Sequence, residues 1–170
     1  MLAAYCERVL GFTPLGHIDL SVPLAGVSGV AFILPQAVTP GSGRHRVYSK
    51  QMLVGARVDG VLPDWAFFVR AVLDTERLAL TASRESLADD DVLGQTRARL
   101  GDQLKCWLLR MARTDRARAQ EFFGVHHLGQ VAAIARAEDI AVLNAGYAYD
   151  RTILERWVAR TDGVEAVRLE

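Results

Sequence analysis

Asp64-Trp65-Ala66-Phe67-Phe68-Val69-Arg70-Ala71-Val72-Leu73-Asp74-Thr75-Glu76-Arg77-Leu78-Ala79-Leu80-Thr81-Ala82-Ser83-Arg84-Glu85-Ser86-Leu87 is the stretch on which the fold of this chain turns. Pro63, just ahead of it, suits the first residue of a helical turn through Trp65 and Phe67, because its missing N–H would have no partner there. Val69 to Leu73 is an apolar run that predicts a buried strand. Arg84 then stands on a loop between this strand and the next helix start, where it can be presented without belonging to the core.

Upstream, Leu2, Cys6, Val9 and Leu10 recur at helical spacing and predict a short helix over residues 2–10. From His17 the period becomes two: Ile18, Leu20 and Val22 alternate with Asp19, Ser21 and Pro23, as in a strand with one buried face. Gly26 to Gly29 reads as a turn. Val30 to Leu34, apolar on both sides, reads as a second strand, central in its sheet and joined to the first by a hairpin. Thr39 to Arg44 is a loop by its Pro, Gly and Ser content. Arg46 to Val54 gives a third strand, and Gly60 with Pro63 marks the break before the opening stretch.

Downstream, Asp89-Asp90-Asp91 places negative charge where a helix N-terminus favours it. Leu93, Leu100, Leu104, Trp107, Leu108 and Met111 then define one long amphipathic helix. Arg97, Arg99, Asp102 and Arg110 form its solvated face. A second helix is expected from Arg116 to Leu128. Val131–Ala137 as helix, Ile140–Leu143 as strand, Tyr149–Val158 as helix and Val164–Leu169 as strand complete a small α/β unit. The fold class expected is α/β in the mixed α+β sense, divided near Thr114 or Arg116 into portions 1–115 and 116–170.

Composition narrows the function. Lys plus Arg equals Asp plus Glu at 20 each, which argues against sequence-independent attraction to nucleic acid or anionic lipid. No apolar run approaches the roughly 20 residues that span a bilayer, and the N-terminus has no signal-peptide pattern. A cytoplasmic location is expected. Cys6 and Cys106 lie far apart without a second ligand pair, so both are expected to be small buried thiols. His126 and His127 are adjacent and point to different sides of a helix, unlike metal ligands at spacing three or four.

No G-x-S-x-G elbow, Cys–His pair or paired carboxylates stand out. Asn144-Ala145-Gly146-Tyr147 follows a strand and precedes a helix, but lacks the phosphate-binding glycine spacing and reads as a tight turn. Arg84 remains as the residue with chemistry to offer. A planar, always-charged guanidinium delivered from a neighbouring domain can stabilise the charge of phosphoryl transfer. The plainer reading is an ion pair with Glu85, Asp89 or another surface acid.

Residues 63–87 resemble, in order and spacing, the middle-domain segment of the ninety-kilodalton heat-shock chaperones, the heat-shock protein 90 family whose bacterial form is HtpG. The match includes the strand aspartate Asp74 and Leu78, Leu80 and Leu87. Leu10–Pro14, Ile18–Leu20, Arg46–Tyr48, Trp107–Arg110, Phe122–Leu128 and Asn144–Asp150 look like actinobacterial-type relatives. The resemblance implies a fold like the second domain of ribosomal protein S5, followed by a small α/β subdomain. It implies ATP hydrolysis in a full-length homodimer, with ATP and Mg2+ bound mainly by an N-terminal nucleotide-binding domain absent from this chain. Arg84 would then be both catalytic and cofactor-binding, reaching the ATP phosphates, and the chain alone would have no activity.

Client proteins are the second implied partner, with Trp65, Phe67 and Trp157 as candidate contacts, although side chains of this kind are more often core. The chain departs from the family in having Ala88 where relatives carry glutamine four residues after the arginine, and in a short join at Leu128-Gly129. Two other readings stand beside this one: a free-standing interaction module without ATPase function, and a small-molecule enzyme using the Asn144–Tyr147 turn.

Overall fold

The computed structural model describes residues 1–38, 44–83, 85–115, 117–119, 121–122 and 125–126. The chain divides into two compact units, Met1–Leu104 and Lys105–Glu170. The first contains a mixed α/β arrangement around a five-stranded sheet. Its elements are α1 (Leu2–Leu10), β1 (Gly16–Val22), β2 (Val27–Ile33), β3 (His45–Ser49), β4 (Met52–Val58) and β5 (Val69–Thr75). Helix α2, Asp91–Thr114, follows and runs across the division between the units.

The sheet order is β1-β2-β5-β3-β4. β1 and β2 form one antiparallel hairpin and β3 and β4 another; β5 enters between them, antiparallel to β2 and parallel to β3. Strand alternation gives each face its own residues. On the first face Ile18, Leu20 and Val22 of β1, Ala31 and Ile33 of β2, and Val69, Ala71 and Leu73 of β5 are buried. On the second face Ser28, Val30 and Phe32 stand opposite Asp74, Val72 and Arg70. Helix α1 covers part of this second face, with the Tyr5 ring 6.4 Å from that of Phe32.

Within the first unit α2 is tied down at several points. Asp90 Oδ1 accepts the Leu93 N–H at 2.8 Å and caps its start. Gly101 lies under Pro63 and Trp65, where an added Cβ would come within 2.8 Å of Pro63 Cγ. The expected leucine series is core: Leu93, Leu100 and Leu104 are all buried. Arg97, expected on a solvated face, is half-buried and donates to the Gly60 carbonyl and to Asp89.

In the second unit, Phe122 packs edge-on to Trp107 at 6.1 Å, and Arg118 lies over the Trp107 ring at 5.8 Å. Residues 117–119, 121–122 and 125–126 are helical, within the expected second helix. The expected elements after Leu128, the join at Leu128-Gly129 and the Asn144–Tyr147 turn lie outside the described residues.

Several local expectations are corrected. The turn after β1 is the 3-10 segment Pro23–Ala25, closed by Gly26 N–H to Pro23 O at 3.0 Å, and Val27 to Gly29 already belong to β2. The single strand expected over 46–54 is a hairpin: Lys50 and Gln51 adopt φ of 51° and 67° and reverse the chain. Neither is a usual residue for such a turn. The chain compensates with Lys50 N–H to Thr75 O at 2.9 Å and Gln51 N–H to Asp74 Oδ1 at 3.1 Å. Cys6 is buried as expected, but Cys106 is exposed on α2. Phe67 is core, as the sequence favoured, and 5% exposed, and Trp65 is half-buried against Phe68.

His45 carries part of the β3–β5 pairing. Its Nδ1 accepts the Ala71 N–H at 3.2 Å, taking the place of a strand carbonyl. Burial, aided by nearby Arg70, pushes the imidazole down to about 4, so the ring is neutral. An unfolded histidine titrates near 6.5. Between these values the unfolded chain binds the proton better, so stability is full above about pH 6.5 and is lost as pH falls toward about 4. The loss amounts to about 3 kcal/mol by the usual conversion.

Two outcomes are expected. Gly29→Ala places a Cβ 2.1 Å from the Val72 carbonyl oxygen and 2.9 Å from Leu73 Cα, both main-chain atoms of β5. The β2–β5 ladder must shift, at a cost of about 2–3 kcal/mol; a urea midpoint equal to wild type would contradict this contact. Separately, His45→Asn keeps an acceptor near the Nδ1 position but does not titrate. Urea melts at pH 6.5 and pH 4.5 should show a smaller stability loss for the variant, and equal losses would refute the neutral buried imidazole.

Candidate functional site

The segment leaving β5 folds back on itself. Thr75 Oγ1 accepts the Leu78 N–H at 3.2 Å and turns the chain out of the sheet. Leu80 and Leu87 then form an isolated antiparallel bridge. Thr81 N–H donates to Ser86 O at 3.0 Å and Ala88 N–H to Ala79 O at 2.8 Å. The Thr81 hydroxyl lies 3.1 Å from Ser83 Oγ and 3.2 Å from Ser86 Oγ. Leu78 and Leu87 are buried beneath the loop, whereas Ser83 and Glu85 are exposed.

Arg84 itself lies outside the described residues. Its neighbours on either side belong to this closed loop, which is anchored at both ends by backbone pairing. The loop rests on the sheet at Gly55 of β4. A Cβ at that glycine would lie 2.8 Å from Val58 Cγ2 and 3.3 Å from Glu85 O, so the absent side chain makes room for Val58 and for the Glu85 backbone. No sequence pattern singled out Gly55, since its role depends on a contact between segments distant in the chain.

One ion-pair partner considered for Arg84 is engaged elsewhere. Asp89 is 3.3 Å from Arg97 Nη2, although it is largely exposed. Arg70 is half-buried, and its Nη1 donates to the carbonyls of Phe67 at 3.3 Å and Val69 at 3.1 Å. Burial and Arg44 lower its pKa, while Asp59 opposes them. Burial, with Glu7 beside it, pushes the Cys6 thiol up to about 11, so it is no nucleophile at neutral pH. Among the described residues no cluster of three or more His, Cys, Asp or Glu could hold a metal ion. No described helix is long and apolar enough to cross a membrane.

No family model matches the chain. It is similar to the chaperone protein HtpG of Alkaliphilus metalliredigens, with 28% identity over 126 residues, covering 70% of this chain and 20% of that protein. It is also similar to the mitochondrial TNF receptor-associated protein 1 homolog of Dictyostelium discoideum, 30% identical over 82 residues, 45% of this chain and 11% of that protein. The mitochondrial heat shock protein 75 kDa of Rattus norvegicus is 30% identical over 77 residues, again 45% of this chain and 11% of the relative. The chain spans about 20% of the length of the HtpG relatives it matches. These similarities support a segment of the heat-shock protein 90 chaperone type.

The Gly55 contact predicts a local effect. Gly55→Val would crowd the Glu85 carbonyl, at about 1–3 kcal/mol of overpacking. Amide exchange at Thr81 and Ala88 should then accelerate roughly tenfold or more, with β2 and β5 amides unchanged. Unchanged exchange at Thr81 and Ala88 would show that the loop does not depend on this contact.

Proposed function

We propose that the chain is the middle segment of an ATP-dependent chaperone of the heat-shock protein 90 type, in which Arg84 completes an ATPase site built mainly by another domain. The observation that carries this is the similarity to HtpG over 126 residues, 70% of the chain. The loop geometry supports it: Ala79 pairs with Ala88, Leu80 with Leu87 and Thr81 with Ser86, and Glu85 O lies against Gly55, so the base of the loop that carries residue 84 is anchored. Anchoring lowers the entropic cost of holding a charged side chain at a reacting phosphate.

In this reading ATP and its Mg2+ are held by an N-terminal nucleotide-binding domain, and this chain alone has no activity. The first portion, 1–115, takes the form of ribosomal protein S5 domain 2 and bears the arginine; 116–170 is a small α/β subdomain. The actinobacterial type, the homodimer of the full-length protein, the client contacts and the cytoplasmic location belong to the same reading. Ala88 in place of glutamine leaves Arg84 to act with one polar neighbour fewer.

The test is ATP hydrolysis by the matching nucleotide-binding domain, alone and with this chain added. Wild-type chain should stimulate turnover and Arg84→Ala should return it to the basal level, since transferred arginines contribute about 10³-fold or more in known phosphoryl transfers. Arg99→Ala, altered on the exposed face of α2, should stimulate like wild type. Equal stimulation by wild type and Arg84→Ala would remove Arg84 from the reaction. No stimulation by either would favour the stand-alone interaction module.

A further inference from the structure

Asp74, the next-to-last residue of β5 and part of the segment that carries the family resemblance, has no part in the proposed ATPase role. Its position on the second face of the sheet gives it another. It stands opposite Ser28 of β2 and Tyr48 of β3, at one end of a groove of about 440 Å³ between α1 and the sheet. Small-molecule sites typically occupy about 300–1,000 Å³ and combine apolar walls with a few placed polar groups. Leu2 and Tyr5 of α1 form one wall; Val30, Phe32 and Val72 form the other.

The groove arises from the geometry of its parts. Tyr5 meets the sheet at Phe32, with ring planes 28° apart. Toward the hairpin end the floor includes the Gly29 backbone, between the Ser28 and Val30 side chains. Val30 and Val72, paired across the ladder, are half-buried rather than sealed. The polar end is Ser28, Gln51, Tyr48 and Asp74.

Asp74 is half-buried and half-used. Oδ1 accepts the Gln51 N–H at 3.1 Å, which secures the β3–β4 turn. Among the described residues nothing donates to Oδ2, and no cation pairs with this carboxylate. Arg46 is the nearest candidate by register, opposite Val72. Its guanidinium is instead committed to Tyr48, donating from Nε to the hydroxyl at 2.7 Å and lying over the ring at 5.6 Å. The Asp74 carboxylate, without an ion pair at the end of an apolar groove walled by Tyr5, selects for positive charge on an apolar body.

We propose that this groove binds an organic cation with an apolar or aromatic body, its ammonium or guanidinium group at Asp74 and its body between Tyr5 and the Val30–Val72 pair. The inference does not depend on the ATPase reading and involves the opposite face of the sheet from the Gly55 contact. A neutral analogue of equal shape keeps the apolar contacts and loses the ion pair. An anionic analogue meets the Asp74 charge directly.

The test uses the whole chain and tryptamine as probe, with tryptophol and indole-3-propionate as neutral and anionic counterparts, followed by amide chemical shifts. Tryptamine should shift Tyr5, Val30, Val72 and Asp74 at millimolar concentration or below, and bind at least tenfold more tightly than tryptophol. Asp74→Asn retains an oxygen for Gln51 and should remove that advantage while leaving tryptophol binding unchanged. Leu2→Trp, which fills the mouth of the groove, should weaken both. Equal binding of tryptamine and tryptophol, preference for indole-3-propionate, shifts centred elsewhere, or no shifts at millimolar probe would each overturn the proposal.

Discussion

The insertion of β5 between two hairpins is the constraint on which the rest of the first unit depends. β1–β2 and β3–β4 can each form locally, but an isolated hairpin is at best marginally stable in water. β5 joins them through an antiparallel ladder to β2 and a parallel one to β3. Its side chains serve both faces at once. Val69, Ala71, Leu73 and Thr75 are buried on one side, while Arg70, Val72 and Asp74 are half-buried on the other. The ladder tolerates no side chain at Gly29, and at Ala71 it borrows the His45 imidazole as an acceptor.

The same strand distributes two chemical features to different places. Its end at Thr75 releases the loop that carries position 84, and that loop returns to rest at Gly55. Asp74, one residue earlier, points by alternation to the second face and the groove beneath α1. One-residue alternation in the strand therefore sends Asp74 to the second face, while Thr75, buried on the first, turns the chain into the loop. A register slip of one residue would exchange these faces and expose the core series.

The strand cores were legible in the sequence because burial writes itself into period: Ile18, Leu20 and Val22, and the leucines of α2, are where spacing puts them. β2 was readable as central because it is apolar on both sides, and it lies between β1 and β5. What sequence hid was decided by contacts distant in the chain. The Lys50–Gln51 turn carries no Gly or Asn, and its left-handed backbone is held by acceptors on β5. Gly29 looks like turn punctuation, yet it is a strand residue chosen for close approach. Arg97 has the spacing of a solvated helix face but is drawn inward by the Gly60 carbonyl. The segment around Arg84 was recognisable by resemblance, while its support at Gly55 was invisible to any local pattern.

The two edges of the sheet show how such a small unit avoids pairing with other chains. At β1 the Gln103 carboxamide acts as a substitute strand: its Oε1 accepts the Ser21 N–H at 2.9 Å and its Nε2 donates to Ser21 O at 2.7 Å. Exposed His17 and Asp19 make the rest of that edge polar. At β4 Met52 and Leu53 are exposed, and the edge relies on exposed Arg57 and on an irregular backbone. There the register with β3 shifts twice, between His45 and Val47 and again between Val47 and Tyr48. Bulges twist an edge out of the regular spacing that another strand would need. The shifts fall around Gly55, whose missing side chain also receives the Glu85 backbone. The irregularity that blunts the edge thus coincides with the seat of the arginine-bearing loop, so a change that straightened β4 would both expose a pairing edge and disturb that loop.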